Sequence, residues 1–146
     1  MRRWFLSYNS QDINLMRELE VGLRRKDPDA HICFAPNNVR AGGFWLPSLA
    51  NEIAQATAFV LLVGQHGVGP WQVMEYYEAL ARRVKEHNDH PDVHEFPVVL
   101  VLLDGQPAPG LPFLRQLHWI ITAATFRGCC RHATLWSDEP EGRLLW

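Results

Sequence analysis

Four short apolar runs punctuate the chain, and between them apolar residues recur at helical spacing. The first run, RWFLSY, is followed by SQDINLMRELEVGLRRK, in which Ile13, Met16, Leu19 and Leu23 fall on one helical face. Ser10 ahead of Ile13 reads as the helix cap. HICFAP makes a second short strand, and the Gly-rich loop NNVRAGGFW leads into an apolar-periodic helix, LPSLANEIAQA. TAFVLLVG is a third strand, apolar throughout, and a long helix follows from about Pro70 to Glu86. After the polar loop HNDHPDVHE, FPVVLVLLDG gives a fourth buried strand. LPFLRQLHWI reads as a short helix running into an extended segment, and CRHATLW as a last short strand. Strands that are apolar on both faces and alternate with helices imply a parallel sheet covered on both sides.

The last segment, SDEPEGRLLW, carries a helix start, Asp138 with Glu141 three residues on. It reaches Trp146 within about three turns. Residues 1–146 are therefore expected to form one domain whose C-terminal helix is cut short, with a further domain beyond 146; a stop codon there in the gene would refute this. No internal repeat or low-complexity segment interrupts the domain.

Composition narrows the function classes. The chain has 146 residues, 47% hydrophobic and 21% charged, enough for one domain with a real core. A formal net charge of -2 and a pI near 6.4 give no electrostatic reason to expect nucleic acid or an anionic membrane as a partner. Six arginines come in pairs rather than in a long basic run (Arg2 and Arg3, Arg24 and Arg25, Arg82 and Arg83), which read as solvated surface. The apolar runs fall far short of the roughly 20 residues that span a bilayer. With no signal-peptide apolar region and an odd number of cysteines (Cys33, Cys129 and Cys130), a reducing, cytoplasmic setting is expected. His87, His90 and His94 lie in a polar stretch without a cysteine ligand and read as hydrated rather than metal-binding.

In an open parallel sheet, ligands bind beyond the carboxyl ends of the strands, where the strand order reverses. That rule selects SYNS, APNNVRAGGFW and GQHGVGPW, the loops after the first three strands. Trp71 and Glu75 are four residues apart at the start of the helix after the third strand, which turns both toward this crevice. A carboxylate in the first turns of a helix is expected to be favoured in its ionised form by the backbone dipoles. The competing reading makes Trp71 a lid on the core and Glu75 a solvated acid. VRAGGF lacks the Lys-Ser/Thr ending of a phosphate loop.

Together these residues resemble a Toll/interleukin receptor (TIR) domain, from Trp4 to about Trp119. WFLSYNSQD is similar to that family's first strand and loop, FAPNNVRAGGFWLPSLANEI to its second strand, BB loop and helix, and TAFVLLVG with PWQVMEYYEAL to its third strand and Trp-x-x-x-Glu signature. The resemblance implies a flavodoxin-like three-layer α/β fold: a central parallel sheet of about five strands, order 2-1-3-4-5, with helices on both faces. It also implies an NAD glycohydrolase (NAD nucleosidase), with NAD as substrate rather than cofactor and no metal. Glu75 would be the catalytic residue, stabilising an oxocarbenium-like transition state. Trp71, Ser7, Tyr8 and Asn9 would bind substrate. Arg40, Phe44 and Trp45 would form a lid hinged at Gly42 and Gly43, Trp45 having a second reading as an anchor for the next helix.

Both hydrolysis to ADP-ribose and cyclisation to a cyclic ADP-ribose isomer stay open. The chain departs from the family at APNN, at Asn9 and at Gln72, where an acidic residue, a basic residue and a cysteine are often found. Family members assemble, so the resemblance implies partners in other TIR domains, contacted through the BB loop (residues 36–47), and in a sensor or oligomerisation domain of the same chain. Such domains serve antiphage defence, innate immunity and cell-death signalling. A non-enzymatic TIR adaptor is the alternative. A receiver domain is disfavoured because VLLVGQ ends without an acceptor aspartate, and a nucleoside deoxyribosyltransferase-like enzyme would be separated by substrate.

Overall fold

The computed structural model describes residues 1–34, 46–91, 96–122 and 134–136. Six strands form one sheet: β1 (Arg3–Tyr8), β2 (His31–Phe34), β3 (Ala58–Val63), β4 (Val98–Leu103), β5 (His118–Thr122) and β6 (Thr134–Trp136). Their order is β2-β1-β3-β4-β5-β6. The first five are parallel, which is the expected 2-1-3-4-5 sheet. β6 is an added edge strand, antiparallel to β5, with Trp136 opposite Trp119.

Alternation of side chains along each strand divides the core into two layers. On one face Leu6, Ile32, Val60, Leu62 and Val101 meet Met16 and Leu19 of α1 (Ile13–Lys26). On the other, Phe5, Phe59, Leu61, Val98 and Leu100 meet Leu49 and Ile53 of α2 (Leu46–Gln55) and Tyr76 and Ala79 of α3 (Pro70–Asp89). Phe5 and Phe59 stack with ring centroids 5.6 Å apart, joining β1 to β3 on the α2–α3 side. No described helix is long and apolar enough to cross a membrane.

Three expectations are corrected. The cap of the first helical segment is Asn9, not Ser10: its side chain accepts from the Gln11 N–H, and a 3-10 turn over Ser10–Asp12 precedes α1. α3 runs on to Asp89, so the polar stretch after it begins inside the helix. Arg3 and Arg82 are not solvated surface. Arg3 lies partly buried with Nη2 3.2 Å from Glu52. Arg82 donates to the Ile53 and Ala56 carbonyls at the end of α2, where backbone acceptors lack partners within the helix. Its guanidinium also sits 3.8 Å from the Phe96 ring centre, so one side chain fastens α2 to α3 and to the start of β4.

Candidate functional site

The chain leaves β1 for β2 on one side and returns to β3 on the other, so the strand order reverses between β1 and β3. α3 begins over this point. Gly69 is its N-cap and Pro70 its first residue, where a missing N–H costs nothing and φ is already helical. The buried stripe of α3 is Gln72, Glu75, Tyr76 and Ala79, the i, i+3, i+4, i+7 pattern of a core-facing helix. Two of those four positions are polar. Tyr76 donates its hydroxyl to the Pro112 carbonyl at 2.6 Å, which ties the β4–β5 connection to the helix.

Glu75 is 2% exposed. Burial pushes its carboxyl up from 4.5 to about 7, and the Ser7 hydroxyl opposes part of that rise. Ser7 Oγ is itself buried and forms no hydrogen bond in full geometry, yet its hydroxyl lies near enough to the carboxyl to favour the ionised form. This corrects the expectation that helix dipoles hold Glu75 ionised. The dipole's influence fades beyond the first turn; Glu75 stands in the second, and desolvation wins.

The expected site residues divide. Ser7 lies on the α3 face of β1 with Glu75, whereas Tyr8, the next residue, points to the α1 face and meets Phe34 edge-on at 6.2 Å. Asn9 Nδ2 donates to the His66 and Gly67 carbonyls at 3.2 and 3.5 Å, joining the loops after β1 and β3. Trp71 is 51% exposed, at the margin of the helix face that buries Glu75. Arg40, Phe44 and Trp45, with the BB loop through residue 45, lie outside the described residues, as do Cys129, Cys130 and His94. Cys33 is buried, and burial pushes its thiol up.

Two polar residues that hold the site together were not singled out as functional. Gln72 Oε1 accepts from the Gly69 N–H at 2.8 Å, while Nε2 donates to the Leu62 carbonyl at 2.9 Å and to that of Ser7 at 3.3 Å. Asp12, buried, lies 2.6 Å from His66 Nδ1 and accepts from the His66 N–H at 3.3 Å. Their signal in the sequence is polarity at positions where the apolar period, or a first helical turn, turns inward. Asp12 and His66 border a cleft of about 220 Å³ on the α1 side of the sheet, with Asn14, Glu18 and Leu103. A larger groove of about 830 Å³ runs along the far half of α3, lined by Tyr77, Val84, Phe113 and Leu117, and contains no residue of the Glu75 site.

The Asp12 carboxylate fits only because residue 64 has no side chain. A Cβ there would stand 2.6 Å from Asp12 Cγ. Gly64→Ala is expected to destabilise the domain by about 1–3 kcal/mol in urea unfolding, as overpacking at a held group does. Adding Asp12→Ala should give a non-additive double variant; strict additivity would remove the Asp12 contact as the cause.

Among solved structures, the chain is similar to the TIR domains of the activated Roq1 resistosome directly recognising the pathogen effector XopQ, with a TM-score of 0.50 and 20% identity over 73% of this chain. It spans 60% of the length of that chain, and the likeness is one of fold. No curated protein matches the sequence. The family model of the TIR domain matches residues 5–127. With that match over most of its length, and a five-stranded parallel sheet in the order 2-1-3-4-5, the chain belongs to the TIR domain family.

Proposed function

We propose that this TIR domain cleaves NAD between nicotinamide and ribose, with Glu75 as the catalytic residue. The observation that supports it most is a carboxyl almost wholly buried at the strand-reversal point, with no ion pair to another described residue and a pKa near 7. An uncompensated buried carboxylate costs a domain several kcal/mol and gives a scaffold nothing. In NAD the nicotinamide ring is a cation. As the C1′–N bond breaks, its electron pair returns to the ring nitrogen, nicotinamide leaves neutral, and positive charge develops on the ribose. Glu75, ionised, accepts hydrogen bonds from the ribose hydroxyls and stabilises that charge in a site of low polarity. Water then adds to C1′ with loss of a proton, giving ADP-ribose, or an adenine nitrogen adds and gives the cyclic isomer. Trp71, half exposed one helical turn before Glu75, offers a ring face to the pyridinium or a base.

Self-association belongs to the same reading. Met74, Tyr77 and Val84 form an exposed apolar row along α3, which favours contact with other TIR domains. This row also favours the second reading, a non-enzymatic adaptor. In the enzymatic reading, clustering of a cytoplasmic defence or cell-death protein by a sensor elsewhere in its chain switches on NAD cleavage. The test is NAD turnover by the wild-type domain, free at micromolar concentration and crowded on a bead surface, with nicotinamide and ADP-ribose products separated by chromatography. Nicotinamide release that rises on crowding is the expected result. A folded, crowded domain that releases none leaves the adaptor.

A further inference from the structure

Gln72 is 1% exposed, and its side-chain amide makes three hydrogen bonds. As a helix cap it needs only the bond from the Gly69 N–H, and as core filling an apolar side chain of the same size would serve without burying an amide. Its two donors explain the choice. They go to Leu62 and Ser7, each the residue before the last of its strand, so the first turn of α3 is locked to β1 and β3 together. The same Ser7 whose carbonyl is held by Gln72 carries the buried, unpartnered hydroxyl that faces Glu75. A buried hydroxyl left without a partner calls for a role, and here the group it faces is a carboxyl that gains acceptor strength when it ionises.

We propose that Gln72 is a positioning residue for Glu75: by fixing the first turn of α3 and Ser7 in one hydrogen-bonded unit, it stands the Ser7 hydroxyl opposite the carboxyl, to which it donates when Glu75 ionises. The inference rests on the NAD-cleaving reading for its consequence in catalysis, and on geometry alone for its consequence in titration. No charged side chain from β1, β3, β4, α2 or α3 among the described residues acts on Glu75; burial and Ser7 are what set its ionisation, and Tyr76 beside it is engaged with Pro112. Losing the Ser7 contact therefore moves the titration upward.

The experiment uses Ser7→Ala, Gln72→Met and the double variant, with the Glu75 side-chain carboxyl carbon titrated by NMR. Each single variant is expected to raise the apparent pKa of Glu75 by at least about half a unit, and the double variant to match the larger single rather than their sum. In crowded NAD turnover, kcat at pH 7 should fall several-fold with KM changed less, and the rise of activity should move to higher pH. Ser7→Ala removes an atom that forms no hydrogen bond, so it remains informative if Gln72→Met fails to fold. Glu75 titrating as in the wild type in Ser7→Ala, or in a folded Gln72→Met, overturns the inference. If the wild type cleaves no NAD, the functional reading falls while the titration still decides the role of Gln72.

Discussion

Glu75→Gln should make the domain more stable above neutral pH by about 3 kcal/mol, an advantage shrinking to about 1 kcal/mol at pH 5. The folded protein keeps a proton on Glu75 up to about pH 7, whereas the unfolded chain releases it near 4.5. Between these values the folded state binds the extra proton, so its stability declines as pH rises, and the decline levels off above about 7. The gap between 4.5 and about 7 corresponds to about 3 kcal/mol. Glutamine has the same shape and never ionises, so it removes this loss. Its own amide contributes a pH-independent offset, which makes the difference between pH 5 and pH 8 the quantity to read. Unfolding in urea, followed by tryptophan fluorescence at both pH values, gives it directly. A Glu75→Gln effect that does not change with pH would mean that Glu75 titrates as an ordinary surface acid.

Loss of nicotinamide release is the second large effect. Glu75→Ala and Glu75→Gln are expected to lower crowded NAD turnover by about 10²–10³-fold, the usual cost of removing a charge-stabilising group from a water-excluded site. Because the ionised carboxylate does the work, wild-type turnover should rise with pH through about 7 before levelling off. The two predictions are linked: the substitution that abolishes activity is the one that stabilises the fold, the mark of a group kept for function at the expense of stability. Wild-type turnover retained by a folded Glu75→Ala domain would move the chemistry to another residue.

The alternation of apolar runs with 3.6-period helices was enough to place the first four parallel strands and three helices, because burial of both sheet faces leaves little room for polar residues in those runs; the fifth strand read only as an extended segment, and its place in the sheet came from the family resemblance. Glu75 was legible as a candidate from its place after the third strand. Its ionisation was not, since the dipole argument reads only the distance from the helix start, while the decisive quantity is how completely the core closes over the carboxyl. Adjacent Ser7 and Tyr8 in a strand point to opposite faces, and period two alone forbids grouping both on one. No residue in TLW announces that the edge strand runs antiparallel to β5, because a three-residue strand carries too little pattern to record its direction.

What the sequence determined by itself is the layered α/β order, through local periodicity, and the residue types available at the strand ends. Only the tertiary structure decided which of them work together. Gln72 reaches Leu62 and Ser7, and Asp12 reaches His66, across sequence separations of 10, 65 and 54 residues. No period in the chain records such pairings: a buried polar group must find its partner wherever packing places one, and packing is settled by the whole core at once.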